Sequence, residues 1–379
     1  MTDIYLDHAA TTTPRPTALA AMRRAAETMH GNASGIHGAA RRARNALEEA
    51  REQAADLIGA TRPGEIVFTS GGTESDNLAI IGAALASPRR RVVVSAIEHK
   101  AVLESAQSLE RFGFSVTTIP VDPRGVVVPE SVSALVDSDV AVVSIMAANN
   151  EVGTIQPIAE IVEIVKGADP DISFHTDAVQ FFVGRGLDVA ALGVDLASLA
   201  AHKFGGPTGI GLLYVASGTK LEPVLVGGGQ EAGRRPGTSN VAGAVGMVAA
   251  MREVVAERAR FDERTGTERD SFEATLRLAD PSISVTTRGA DRLVHFSHIR
   301  VPGVSGETLL IRLDQVGVFA AAGSSCQSGA VEPSHVLSAV GIGDDAAREY
   351  LRFTFGWDTE PGTGFRAAQA VLATVAELR

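Results

Sequence analysis

Four short stretches of the chain carry side chains that could do chemistry. In Ser70-Gly71-Gly72-Thr73-Glu74-Ser75, two glycines and a threonine stand between a strand-like run and a helical one. Glycines let the backbone approach a ligand, and the first N–H groups of a helix point at an anion. The stretch reads as a phosphate cup or as a plain turn capped by Thr73. In Phe174-His175-Thr176-Asp177-Ala178-Val179-Gln180, a carboxylate follows an apolar strand. Parallel sheets bind ligands at such an edge, and a helix cap would stand there equally well. In Ala201-His202-Lys203-Phe204-Gly205-Gly206-Pro207, a lysine follows another strand, and small residues and a proline fix the turn after it. Desolvation would make that lysine a nucleophile; an ordinary surface lysine is the alternative. The fourth stretch, Ala-Ala-Ala-Gly-Ser-Ser-Cys-Gln-Ser-Gly-Ala, holds Cys326, the only cysteine of the chain. Its small neighbours leave the thiol accessible for attack, whereas a buried cysteine would be inert.

The first three stretches say more together than singly. A phosphate cup, an acid and a lysine at the ends of successive strands are what pyridoxal 5'-phosphate (PLP) needs. The lysine holds the aldehyde, the acid keeps the ring nitrogen protonated, and the cup holds the phosphate.

The elements that must position these residues alternate along the chain. Periodicity predicts helices over 41–57, 73–86, 101–112 and 158–167, and strands over 65–70, 91–95, 115–119, 140–146, 172–176, 196–200 and 211–215. Strands joined through helices imply crossovers and a mainly parallel sheet covered on both faces. A long helix over 241–260 leads out of this unit. Beyond about residue 256 the pattern changes to a smaller α+β unit, with strands over 282–287, 293–298 and 351–355.

Composition sets further bounds. With 379 residues, 45% hydrophobic, the chain exceeds what one core usually spans, so a large and a small domain are expected. A net charge of −11 opposes a nucleic-acid-binding surface, and Arg89-Arg90-Arg91 reads as a solvated loop. The N-terminus is acidic and polar, unlike a secretory signal, and apolar runs such as 140–148 are too short to span a bilayer. One cysteine permits no internal disulfide and no Cys-rich metal site. The expectation is a soluble protein of a reducing, cytoplasmic compartment, without a metal, a membrane anchor or direct nucleic-acid contact.

The motifs also form an ordered set that resembles the cysteine desulfurases of the class V aminotransferase group. They are YLDHAATT (5–12), GNASGIHG (31–38), FTSGGTESDNLAI (68–80), EHKAVL (98–103), NNEVGTIQPI (149–158), HTDAVQ (175–180), AHKFGGPTGIGLLYV (201–215), GGGQEAGRRPGT (227–238), GSSCQSG (323–329) and LRFTFG (351–356). The resemblance covers almost the whole chain. It implies an α/β, PLP-dependent transferase fold of the aspartate aminotransferase type. A large domain over 15–255 would hold a mainly parallel seven-stranded sheet, and 1–14 with 256–379 would form the small domain carrying Cys326.

The resemblance also implies roles. Lys203 would carry the aldehyde of PLP, Asp177 would pair with the ring nitrogen, and Gln180 would bond the ring hydroxyl. His99 would stack on the ring and shuttle protons. Gly72, Thr73 and His202 would serve the phosphate, and Thr238 would reach the phosphate of a second subunit, implying a homodimer. Asn150 and Arg352 would grip the carboxylate of L-cysteine. Cys326 would take the substrate's sulfur as a persulfide, release alanine and deliver the sulfur to an acceptor protein. Iron–sulfur assembly, tRNA thiolation and DNA phosphorothioation are possible destinations. Selenocysteine lyase is a sister activity; a non-catalytic scaffold would have lost Lys203, Asp177 or Cys326, and all are present. Three departures stand out. Ala200 replaces a family serine that bonds the phosphate, Gln230 replaces a histidine, and Trp357 replaces a common arginine. The chain ends at Arg379, short of the scaffold-docking tail of iron–sulfur members, so that partnership is the weaker expectation.

Overall fold

The computed structural model describes residues 3–322 and 334–379. Cys326 therefore lies outside the described residues.

Apolar and β-branched runs form the strands. After β1 (Ile4–Tyr5), the strands β2 (Ile66–Thr69), β3 (Arg91–Ser95), β4 (Ser115–Ile119), β5 (Val140–Ser144), β6 (Ser173–Asp177), β7 (Leu196–Ala200) and β8 (Gly211–Val215) build one sheet. Its order is β2-β8-β7-β6-β5-β3-β4. Only β8 runs against its neighbours; β3 to β7 are parallel. β5, β7 and β8 are buried at every position, because helices cover both faces of the sheet. One apolar cluster gathers Leu47, Val143, Phe174 and Met251; a second gathers Val67, Ile80, Val94 and Val142. The carboxyl ends of β2, β3, β5, β6 and β7 therefore share one edge.

A second unit follows. β9 (Ser284–Val285), β10 (Phe296–Arg300) and β12 (Tyr350–Thr354) form an antiparallel sheet, and β11 (Val318–Phe319) pairs with β1. Phe272, Phe353 and Phe355 pack ring against ring in its core, joined by Leu276, Leu351 and Val371.

Two elements differ from the expectation. The helix expected over 241–260 runs unbroken from Val241 to Ala279, about 58 Å at the standard rise. Its second half looks polar in sequence, but Phe261, Thr265, Glu268, Phe272 and Leu276 recur every three or four residues and are buried. One helix thus serves both cores. The strand expected over 293–298 begins later, at Phe296. Residues 291–293 instead pair with the 153–155 turn: Ile155 donates to Asp291 and Leu293 donates to Gly153. A tertiary contact overrides the local strand propensity there.

Residues 6–15 strap the two units together. Leu6 bonds backbone to backbone with Phe319 and Thr354, Thr12 donates to the His202 carbonyl, and Arg15 to that of Gly205. The Arg15 side chain is buried between the Phe204 carbonyl, Glu253 and Glu257.

The Phe272 site gives a direct test of the small core. Phe272→Ala should lower unfolding stability by about 3–5 kcal/mol through the cavity it leaves. Urea unfolding followed by circular dichroism measures it.

Candidate active site

The shared sheet edge gathers most of the residues singled out in the sequence. β6 ends in Asp177, and β7 leads through the turn Ala201–Lys203 to the lysine. The loop after β3 carries His99, the segment after β5 carries Asn150, and β2 leads into the helix Gly72–Ala86.

Lys203 Nζ donates to the carbonyls of Ala9 and Ala10, both at 2.8 Å. Burial pushes its pKa down to about 8, the nearby Arg352 adds to this, and Asp177 and Asp7 oppose it. Asp177 is buried and accepts the Val179 N–H at 2.9 Å. Burial raises its pKa, while His99, the Val179 N–H and Lys203 hold it back. His99 opens the helix Lys100–Ser108, its Nδ1 accepting the Ala101 N–H at 3.1 Å. A neutral ring that accepts at Nδ1 keeps its proton on Nε2. The residue is exposed, yet desolvation still lowers its pKa, against the pull of Asp177. These three groups lie within one another's fields. Gln180 spends one amide N–H on the Ala9 carbonyl, 2.8 Å away.

The helix Gly72–Ala86 starts without a side-chain cap, so its first N–H groups have no side-chain acceptor. A Cβ added to Gly72 would stand 3.1 Å from Val179 and 3.5 Å from Ala200, which is why the turn is tight. Thr73 is exposed beside it. His202 bonds Thr11 at 3.3 Å and has its pKa lowered to about 4 by burial and by Lys203, so it is neutral near pH 7 and offers an N–H without charge. A cavity of about 380 Å³ adjoins the helix start, lined by Ser70, Thr73, Glu74 and Arg235. Thr238 is exposed on a loop tied down elsewhere. Arg235 forks onto Glu74 at 2.7 and 3.2 Å, and the buried Arg51 forks onto Glu231 at 2.6 and 3.0 Å. Within the chain, Thr238 is not brought to Lys203 by any described hydrogen bond.

Arg352 and Asn150 meet beside this group. Arg352 Nη1 donates to the Asn150 carbonyl at 2.6 Å, and Nη2 to Asp7 at 2.7 Å. Arg352 Nε and Asn150 Oδ1 are buried without a partner. The chain on either side of 323–333 is fastened close by. Ala321 pairs backbone to backbone with Arg352, and Ser334 donates to the buried Glu151.

Sequence reasoning missed Asp7 and the carbonyls of Ala9 and Ala10. All three lie in the YLDHAATT motif, whose presence was the only signal. Among the described residues, no cluster of His, Cys, Asp and Glu could hold a metal ion, and no helix is long and apolar enough to cross a membrane.

The profile of the family described as aminotransferase class-V matches residues 4–361. The chain belongs to the class-V aminotransferase family. It is 44% identical over 358 residues to the protein named cysteine desulfurase IscS of Dictyoglomus turgidum, covering 93% of this chain and 90% of that one. A solved structure described as a NifS-like protein superposes with a TM-score of 0.93 at 34% identity, over 100% of both chains. A second, described as SspA in complex with cysteine, has a TM-score of 0.82 at 33% identity, over 93% of this chain and 98% of that one. This class-V member is PLP-dependent, and its donor set fits that cofactor. It has a half-buried amine of low pKa, a buried acid beside it, an imidazole and an uncapped helix start.

Two predictions follow from this geometry. With a pKa near 8, roughly a tenth of Lys203 is unprotonated at pH 7, against about 0.04% for an ordinary lysine. PLP uptake by the apoprotein should quicken as pH rises to about 8 and then level off, as stopped-flow absorbance would show. Arg352→Lys loses the fork onto Asp7 and Asn150. It should lower kcat/KM for cysteine by roughly 10- to 100-fold, mostly through KM.

Proposed function

We propose that the chain is a PLP-dependent cysteine desulfurase. It would take sulfur from L-cysteine, leave L-alanine and carry the sulfur as a persulfide on Cys326 to an acceptor protein. The observation that carries this reading is the meeting of Lys203, Asp177 and His99 at one sheet edge, with Arg352 and Asn150 alongside. The desulfurase names of its relatives and a neighbour solved with cysteine support it.

When bound, PLP supplies an electron sink conjugated to the substrate's α-carbon. Lys203 would hold the cofactor, and its amine, with a pKa near 8, both releases and takes back a proton at the α-carbon near neutral pH. Asp177 would pair with the ring nitrogen as the anion that favours its proton. His99 would stack on the ring and present its Nε2–H. The remaining amide hydrogen of Gln180 would meet the ring hydroxyl. The first N–H groups at Gly72 and Thr73, with the neutral N–H of His202, would take the phosphate. Ala200 contributes no hydrogen bond. The free Nε of Arg352 marks where the substrate's carboxylate would dock, with the Asn150 side-chain amide beside it. The Cys326 thiolate would attack the substrate sulfur. The S–S bond forms as the Cβ–S bond breaks, and its electron pair stays on Cβ, which takes a proton to become the methyl of alanine.

The fixed ends of the 323–333 segment support this role, since both are fastened beside Arg352 and Asn150. A homodimer is part of the proposal. Val226 and Ile36 are each 89% exposed and Leu225 is 51% exposed, and a second copy would cover such apolar side chains.

Purified protein should be yellow and release sulfide from cysteine. Lys203→Ala should lose the colour. Cys326→Ala should keep colour and PLP yet release no sulfide. A colourless protein that takes up no added PLP, or a fully active Cys326→Ala variant, overturns the corresponding part.

A further inference from the structure

A row of buried groups lies behind Asp177, and the chemistry above does not use it. At its centre is His175 on β6, with no exposed surface. Its Nδ1 is 2.8 Å from Ser144 Oγ on β5, and its Nε2 is 2.9 Å from Ser198 Oγ on β7. Sheet pairing puts them there, because Ser144 is in register with His175, and Ser198 with Asp177. The row ends in two acids. Asp76, in the helix Gly72–Ala86, holds Oδ1 3.6 Å from His175 Nε2. Glu98, just before His99, accepts on Oε1 from the Ser95 hydroxyl and from the Met146 N–H. The Ser198 hydroxyl favours the charged form of Asp76, and that of Ser144 favours the charged form of Glu98.

The two acids are nonetheless incompletely satisfied. Asp76 Oδ1 and Glu98 Oε2 are buried without a hydrogen-bond partner. A bare carboxylate oxygen in such a place is costly, and a proton turns it into a donor. Burial pushes Glu98 up to about 8 and Asp76 well above the usual range, and the charge of Asp177 pushes both further. His175 is pushed down to about 3 by burial, so its ring is neutral. The other charged groups facing Asp177 are His99 and Lys203.

A neutral imidazole has one donor and one acceptor nitrogen, and a hydroxyl can do both. The row therefore has two arrangements. In one, Asp76 holds the proton, the Ser198 hydroxyl points at His175, His175 donates to Ser144, and Ser144 donates to an anionic Glu98. In the other, every donor is reversed, Glu98 holds the proton and Asp76 is the anion. Between the two, Asp76 gives one proton, Glu98 takes one, and Ser198, His175 and Ser144 each give one and take one, so nothing is gained or lost.

We propose that Asp76, Ser198, His175, Ser144 and Glu98 form a buried relay that holds one shared proton behind Asp177 and positions the negative charge facing the cofactor's ring nitrogen. This rests on the PLP reading above. The five are positioning residues that act through Asp177. With one proton held in the row, Asp177 stays ionised with one buried anion fewer beside it.

The test uses the holoenzyme and two variants, Ser144→Ala and Ser198→Ala, which cut the row and leave both acids in place. The midpoint of the pH titration of the bound cofactor's absorbance should move by about one pH unit, a tenfold change in proton affinity. Borohydride trapping on Lys203 should still succeed. Wild-type holoenzyme at pH 7 should show an infrared band of a protonated carboxyl, which changes in both Asp76→Asn and Glu98→Gln. Unmoved midpoints in the serine variants, or no such band in the wild type, overturn the relay. If Lys203 traps no cofactor, the PLP reading fails instead, and the infrared band, which needs no cofactor, decides the relay alone.

Discussion

An amine drawn out of water must have partners, and the structure depends on how Lys203 finds them. Its two hydrogen bonds go to carbonyls of the strap over 6–15, not to side chains of its own domain. The same strap bonds β11 and β12 on one side and the turn after Lys203 on the other. Holding the amine therefore also holds the two units together. Arg15 closes the arrangement from below, with a carbonyl and two carboxylates around a guanidinium only 2% exposed. Losing one partner of such a buried ion would leave the other uncompensated.

Charge placement at the site follows from that scaffold. Arg352 is shared by three constraints: the ion pair with Asp7, the Asn150 carbonyl and the backbone bridge to Ala321. Its positive charge helps depress Lys203, which prepares the amine for chemistry. Asp177, Asp76 and Glu98 are buried close to one another, and burial favours protons on Asp76 and Glu98. Like charges packed so closely do not all ionise together, so the relay and the site draw on one electrostatic arrangement.

Much of the large sheet was legible in the chain. Runs such as Val-Ala-Val-Val-Ser are apolar and β-branched, and the intervening helices have clear apolar stripes, so strand and helix existence followed from local pattern. Legibility failed where tertiary contacts govern. The second half of the helix Val241–Ala279 buries only one residue in three or four, too sparse a stripe to announce itself. Residues 291–293 read as the start of a strand, but the 153–155 turn recruits them first.

The sequence by itself determined which residue types stand at the ends of which strands: Asp177 at the end of β6, Lys203 after β7, His99 after β3, and a glycine-rich helix start after β2. Those follow from short-range pattern, because a parallel sheet sends the carboxyl ends of its strands to one edge. Only the tertiary structure decided what those residues touch. Asp7 and Arg352 are 345 positions apart, and no spacing rule pairs them. Lys203 and Gln180 bond backbone carbonyls, which every residue carries and no sequence distinguishes. The row from Asp76 to Glu98 exists only because sheet register sets Ser144 and Ser198 on either side of His175.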